Sequence, residues 1–566
     1  MILQNRIFKS HLLKTFFLGL LCFAEVAFAQ QTGSWGDQGN GTYKNPILES
    51  NYPDNDVIRV KDSYYMMSST NQFAPGMVIL KSKDLVNWEF SNHIMKAPIT
   101  YDEAFDMGKR PSLVSRGTWA GSFGYDGKEY YAYWCHNRLG EARVGGSLEI
   151  RFAKSKSMEG PWSIPKEITW PDGKHVTTTD PGVFWDLKTK KAWICITIKG
   201  VVKLYPISWD GEKMLQDVTD GIVVNKEFEG ESNKVYHFDG MYYVMNSHVR
   251  KSDLIRMQSI SRAKNIDGPW ESKLVLGNGN GTIRHPSQGT LLKLDDGSWW
   301  FLHQLARGTP EERYMGRPQF LEPVKWIDGW PLIGTDTNGD GIGEVVWENK
   351  KPILGFPVNA PATDDDFRKK TIGMQWMWRF NPVMDKWSLT ERKGFLRLKA
   401  CKNVIPNPNP ENVKTTTNFI QQRLMGRYKN VMTAKIDFSG MENGQEGGFH
   451  VSSVDNNIIG VKKDDNGKMN IFFKIDSKDN LPVMKGIDIS NPNLWFRSTV
   501  ENGLANFFYS LDGKKFIPFG KEVRLLFSGF TPAMVGFYTK NESEKGFIDV
   551  DWFTYDYDGP KGKSTK

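Results

Sequence analysis

Between residues 43 and 350 the chain repeats one pattern, a polar turn followed by a run of aromatic and β-branched residues. The runs begin at Lys61 ("KDSYYMMSS"), Tyr125 ("YDGKEYYAYWC"), Leu187 ("LKTKKAWICITI"), Phe238 ("FDGMYYVMNS") and Asp295 ("DDGSWWFLHQ"). Runs of this composition, punctuated by turn residues, predict β-strands. Three are answered by a second element that ends near a tryptophan: "SKDLVNWE", "SKSMEGPW" and "SRAKNIDGPW". Strand, turn, strand and a closing Trp form a repeating unit, and five such units predict a five-bladed β-propeller over 43–350. Convincing amphipathic helices are scarce, so the alternative is another all-β assembly.

The pattern stops in "KKPILGFPVNAPATDDDF", where Pro and polar residues mark a linker at 351–365. Beyond it the strands lengthen and alternate, as in "WSLTERKGFLRLKA", "VMTAKIDFSGM" and "GFIDVDWFTYDYDG". Turns such as Leu511-Asp512-Gly513 separate them. This predicts a β-sandwich over 366–560, and 566 residues are enough for both domains.

The first 29 residues belong to neither. A basic start with Arg6, Lys9 and Lys14 precedes the apolar "TFFLGLLCFAEVAFA", and Ala27-Phe28-Ala29 supplies small residues before Gln30. This is the layout of a cleaved signal peptide, and the apolar run, broken by Glu25, is too short to span a bilayer. Export to the periplasm or the extracellular space is expected. A lipoprotein reading through Cys22 is weaker, because bulky Leu21 precedes it.

Without the leader the formal net charge falls from +8 to +6. No dense Lys/Arg run or nucleic-acid motif accompanies it, so the excess reads as a solvated surface and no nucleic-acid partner is expected. Cys135, Cys195 and Cys401 are too few and too widely spaced for a disulfide framework or a zinc site. Aromatics make up 13% of the chain, with 20 Trp and 19 Tyr. They suit strands, and flat rings also stack on sugar faces.

Candidate chemistry lies in acids that precede inner strands. Asp54 and Asp56 stand in "NYPDNDVIRV", Asp180 in "TTTDPGVFWD", and Glu229 and Glu231 in "EFEGESNKVYHFDG". Taken singly, each is ordinary turn chemistry. Taken together, they put carboxylates from three units at the mouth of one central channel. Hydrolysis of a glycosidic bond needs one carboxylate to activate water and one carboxylic acid to protonate the leaving oxygen, with a third able to raise the acid's pKa.

"NPILESNYPDNDVIRVKDSYYMMSST" with "SKDLVNWE", then "GTWAGSFGYDGKEYYAY", "DPGVFWD", "ESNKVYHFDGMYYV", "DGSWWFLH" and "GRPQFLEPVKWIDGWPLIG", resembles glycoside hydrolase family 43. The segments after the linker resemble the concanavalin A-like sandwich found in its β-xylosidase and α-L-arabinofuranosidase branch. The resemblance covers nearly all of the chain after the leader. It implies Asp54 as general base, Asp180 as pKa modulator and a glutamate before β-strand "KVY" as general acid. The family's Glu-to-Tyr spacing selects Glu231, counted back from Tyr236. Glu229 has the following glycine, Gly230, but lies two residues early. Asp56 is expected to be structural. Arg317 in "MGRPQFL" and Trp119 in "GTWAGS" match substrate-contacting positions, although Gly121 replaces the usual proline. Trp134 and Trp185 read as packing. The family's histidine before Gln-Gly is here Ser287, with His285 two places earlier, so no metal ligand is assigned and His285 reads as structural. "DTNGDGIGE" from Asp336 resembles a calcium loop, but its twelfth position is Trp347. It reads as a polar turn, a structural calcium ion being the other option.

The expectation is an exported, inverting, exo-acting hydrolase of terminal arabinofuranose or xylose from oligosaccharides or polysaccharides, with no cofactor required. The alternative is a carbohydrate-binding protein without catalysis. The sequence does not choose between the two sugars or set the oligomeric state.

Overall fold

The computed structural model describes residues 35–560 apart from 110–116, 138–147, 253–254, 279–283, 307–311, 406–412, 477–480 and 528–529. The proposed leader, 1–29, lies outside the described residues. The architecture is all-β. Among the described residues no helix is long and apolar enough to cross a membrane.

Five four-stranded antiparallel sheets follow one another, spanning 56–95, 117–168, 182–225, 230–276 and 284–333, each with its strands in chain order. Their first strands are β1 (Asp56–Val60), β2 (Gly117–Tyr125), β3 (Gly182–Asp186), β4 (Gly230–Phe238) and β5 (Arg284–Lys293). Each first strand packs beside the next, and β5 packs beside β1, so the five form a closed ring. The aromatic runs are the second strands, buried between neighbouring sheets. Trp134 is wholly buried, and Trp185 stacks on Tyr131 with ring centroids 4.3 Å apart. The third and fifth units, which lack an obvious closing Trp element in sequence, also complete four strands, the third ending on the short Ile222–Asn225.

A small sheet of Gly36–Asp37, Thr42–Lys44 and Glu348–Lys350 joins the beginning and end of this half. Lys351 secures the junction. Its buried ammonium contacts Asp37 and lies 2.9 Å from Asp84 Oδ2, and Asn87 Nδ2 donates to both carboxylates. Lys351→Met would leave two buried anions with no cation. A loss of about 3–5 kcal/mol is expected in denaturant unfolding.

The C-terminal half is two sheets of seven and eight strands packed face to face. Alternation decides which side chains go between them: Asn493–Glu501 buries every second residue. Phe449, Phe473, Phe496, Phe537 and Phe553 from both sheets fill one core. The same core continues into the first half through Tyr52, Tyr314 and Met315. A buried Glu49–Arg427 pair at 2.8 Å and the bond from Ala533 N–H to the Tyr314 carbonyl lock the halves together. Phe527 and Phe530, close in sequence to Ala533, reach the ring's central cavity.

Candidate active site

Residues at the starts of the inner strands, or just before them, converge there. A cavity of about 210 Å³ is lined by Asp54, Asp180 and Glu231, by Trp119, Arg256 and His285, and by Gln288, Gln304, Arg317, Phe527 and Phe530. At about 30 Å³ per water this is the scale of one sugar ring, not of a chain.

Each acid is aimed by an unusual backbone. Asp54 has φ 60° and Asp180 φ 51°, and Ser232, directly after Glu231, has φ 59°. Left-handed geometry is tolerated by Asp and uncommon for Ser. At Glu231 the pairing with the second strand of its sheet also shifts register before Lys234. Glu229 lies just before β4, whereas Glu231 lies within it, next to the shift. Glu231 enters the cavity, whereas Glu229 stays outside it and pairs with exposed Lys251 at 2.9 Å.

The acids are linked by a chain of hydrogen bonds. Arg317 Nη1 lies 2.6 Å from Asp54 Oδ1, and Ser69 Oγ donates to Asp54 Oδ2. The Asp54 N–H donates to Gln304 Oε1 at 2.7 Å. Gln304 Nε2 donates to Gln288 Oε1. Gln288 Nε2 donates to Glu231 Oε1 at 2.9 Å and more weakly to Asp180 Oδ2 at 3.4 Å. Arg256 Nη2 meets the same Glu231 oxygen at 2.7 Å. Asp54 and Glu231 are therefore held apart by two side-chain amides rather than in contact. Burial, then the charges of Glu231 and Asp54, push the Asp180 carboxyl well above the usual range, partly offset by Lys234 and Arg256. Such a group keeps a proton that an isolated aspartate would lose.

Trp119 is half-buried on the wall, its ring centroid 6.3 Å from that of Phe530. Arg317 lies 5.4 Å from the Phe530 ring centre. Gly121, where a proline was expected, allows β2 to cross its neighbour closely: a Cβ there would sit 1.8 Å from the Tyr133 carbonyl oxygen. His285 lines the cavity with Nδ1 accepting the Arg256 N–H at 3.0 Å. Asp56 points elsewhere. Its carboxylate accepts from the Phe123 N–H and the Thr290 hydroxyl, outside the cavity that holds Asp54. The Asp336 carboxylate accepts from the N–H groups of Gly339 and Gly341, within its own turn. Among the described residues, Glu149, Glu167 and His175 bring their ligand atoms within metal-binding distance of one another. There His175 already contacts Glu167, and Arg151 contacts Glu149.

Gln288, Gln304, Arg256, Phe527 and Phe530 were not singled out by the sequence. Neutral amides at the ends of apolar strands carry no pattern. The two phenylalanines come from the other half of the chain.

Comparison with known proteins agrees with this geometry. Residues 43–331 match the model of glycosyl hydrolases family 43, and residues 364–556 match that of the β-xylosidase C-terminal concanavalin A-like domain. A β-xylosidase of Formosa agariphila is 39% identical over 95% of this chain and 94% of its own length. A non-reducing end α-L-arabinofuranosidase of Bacteroides ovatus is 29% identical, covering 77% of each chain. The solved structure of a xylan β-1,4-xylosidase from Bacillus halodurans shares the fold, with TM-score 0.75, 21% identity, and coverage of 91% of this chain and 99% of that one. The chain belongs to glycoside hydrolase family 43 and is a glycosidase.

Proposed function

We propose that this glycosidase is an exported, inverting exo-hydrolase that removes terminal α-L-arabinofuranose or β-D-xylose from plant oligosaccharides or polysaccharides. The reading takes the five sheets as a five-bladed propeller over 43–350 that carries the catalytic groups. A linker at 351–365 leads to the sandwich at 366–560, and residues 1–29 direct export.

In this mechanism Asp54 is the general base. Arg317 and Ser69 orient its carboxylate, which takes a proton from water as the water attacks the anomeric carbon. Glu231 is the general acid and protonates the departing glycosidic oxygen. Asp180 modulates it: both carboxyls accept from Gln288 Nε2, and the Asp180 carboxyl, pushed up by burial and by the charges of Glu231 and Asp54, sits beside the acid. Trp119 and Arg317 contact the sugar.

The observation that carries the proposal is the bridge Asp54–Gln304–Gln288–Glu231, which spans one cavity. A base and an acid held apart leave room for the water that inversion requires. Exo action is supported by Phe527 and Phe530, which wall one side of a cavity of single-ring size. The relatives' names cover both sugars, so the choice of pentose rests on assay. The sugar-binding reading without catalysis finds no support in the site or the relatives.

The test is a panel of nitrophenyl α-L-arabinofuranoside, nitrophenyl β-D-xyloside and the corresponding oligosaccharides. Release of single pentoses from non-reducing ends is expected. Internal cleavage of polymer, or no release from any of them, refutes the reading.

A further inference from the structure

A second cavity, of about 90 Å³, is lined by residues from all five inner strands, among them Asp56, Phe123, Val183, Lys234 and Thr290. It therefore lies at the centre of the ring. On each strand it sits two or three residues beyond a residue of the active-site cavity: Asp54 precedes Asp56, Ala120 precedes Phe123, Asp180 precedes Val183, Glu231 precedes Lys234 and Gln288 precedes Thr290. At about 3.3 Å of rise per residue this is one layer, roughly 7–10 Å, below the acids.

That layer holds two buried charges. The side chains of Lys234 and Asp56 are 4% and 8% exposed and approach to 3.9 Å. Lys234 Nζ donates to the Gly121 carbonyl at 2.6 Å. Asp56 accepts from the Phe123 N–H at 2.6 Å and from Thr290 Oγ1 at 2.9 Å. The pair thus ties together β1, β2, β4 and β5, the strands that carry Asp54, Trp119, Glu231 and Gln288. Two ions removed from water stabilise a fold poorly compared with apolar side chains of the same volume. Stability alone gives little reason for a charged pair at this place.

We infer that Asp56 and Lys234 are positioning residues for the hydrolysis, holding the acid-bearing strand ends in register and setting, through their opposite charges, the electrostatic balance around Asp180. The inference rests on the roles proposed for Asp54, Asp180 and Glu231. Lys234 opposes the upward push on the Asp180 carboxyl, as Arg256 does from the third strand of the same sheet. The Asp56 carboxyl is itself pushed up, by burial first, with Lys234 opposing. The other titratable groups packed around the layer are Tyr236 on β4 and Cys135 in the second sheet, both pushed up by burial and so neutral. Arg317 faces Asp54 from the far side.

The signs are opposite for the two residues. Removing the cation favours the protonated acid, so K234M moves the alkaline limb of kcat upward in pH. Removing the anion does the reverse, so D56N moves it downward. A shift of about half a pH unit each way is expected, with kcat about tenfold lower and KM little changed. D56N/K234M returns the limb to the wild-type position. Melting temperature against pH gives a readout free of activity. In K234M the unpaired Asp56 has a folded pKa raised further above its unfolded value. Its contribution is then fully present in acid and lost as pH rises through the folded pKa. K234M is expected to lose stability more steeply than wild type as pH rises above the ordinary aspartate range, and the double variant to lose that extra slope. If K234M does not fold, D56N decides alone. Alkaline limbs of D56N and wild type that coincide overturn the inference, whatever happens to the rates. If Asp54→Asn keeps full activity, the proposed roles fail, while the opposed limb shifts still decide the pair.

Discussion

Asp54→Asn is expected to lower kcat by about 10³- to 10⁴-fold on every substrate, with KM changed less than about threefold. The side chain keeps its shape: its oxygen can still accept from Arg317, and its amide can donate to the Ser69 hydroxyl, so the site stays assembled. What it loses is the basicity that takes a proton from water. Because water attack is needed whatever the leaving group, the defect should be equal on nitrophenyl glycosides and on oligosaccharides. Steady-state kinetics on both classes checks this. A variant that retains even a tenth of wild-type kcat assigns the base elsewhere.

Glu231→Gln should behave differently. Nitrophenolate departs without a proton, whereas a sugar hydroxyl does not. The variant is therefore expected to lose about 10⁴-fold on oligosaccharides but only about 10²-fold or less on nitrophenyl glycosides. Gln still accepts from Gln288 and Arg256 through its carbonyl oxygen, so the loss is of the proton and not of the geometry. Glu229→Gln is the control. Its carboxylate pairs with Lys251 outside the cavity, and little change in rate is expected. A Glu229→Gln defect with the leaving-group dependence assigned to Glu231 would reverse the two assignments.

The contrast between these glutamates shows where sequence reading stops. Positions 229 and 231 would share a face in an ideal strand, so alternation alone cannot separate them. In the fold Glu229 falls just before the strand, while Glu231 lies within it beside the left-handed Ser232, and only Glu231 enters the cavity. Asp54 and Asp180 were easier to read, because each stands in a turn beside a proline that feeds an apolar strand. The ring of sheets was legible for a similar reason: each aromatic second strand must be buried on both faces and announces itself by composition. The third unit closes on a four-residue strand with no aromatic, and so gave less signal. The amide bridge of Gln288 and Gln304 was silent, since neutral polar residues at strand ends have many structural uses. Phe530 was silent for another reason. It reaches the site only because the two halves share a core and a buried Glu49–Arg427 pair, long-range facts that no local pattern encodes. Asp56 was read as structural; its contacts with Phe123, Thr290 and Lys234 lie outside the cavity that holds Asp54.

The central claim is that Asp54 drives water onto the face of the sugar opposite the leaving group that Glu231 protonates. Proton NMR of the first product to accumulate, recorded before mutarotation, tests it most directly. The account predicts a pentose whose anomeric configuration is opposite to that of the glycoside consumed. A first product that keeps the substrate's configuration would mean a covalent sugar–enzyme intermediate, and with it a nucleophile where a base has been assigned.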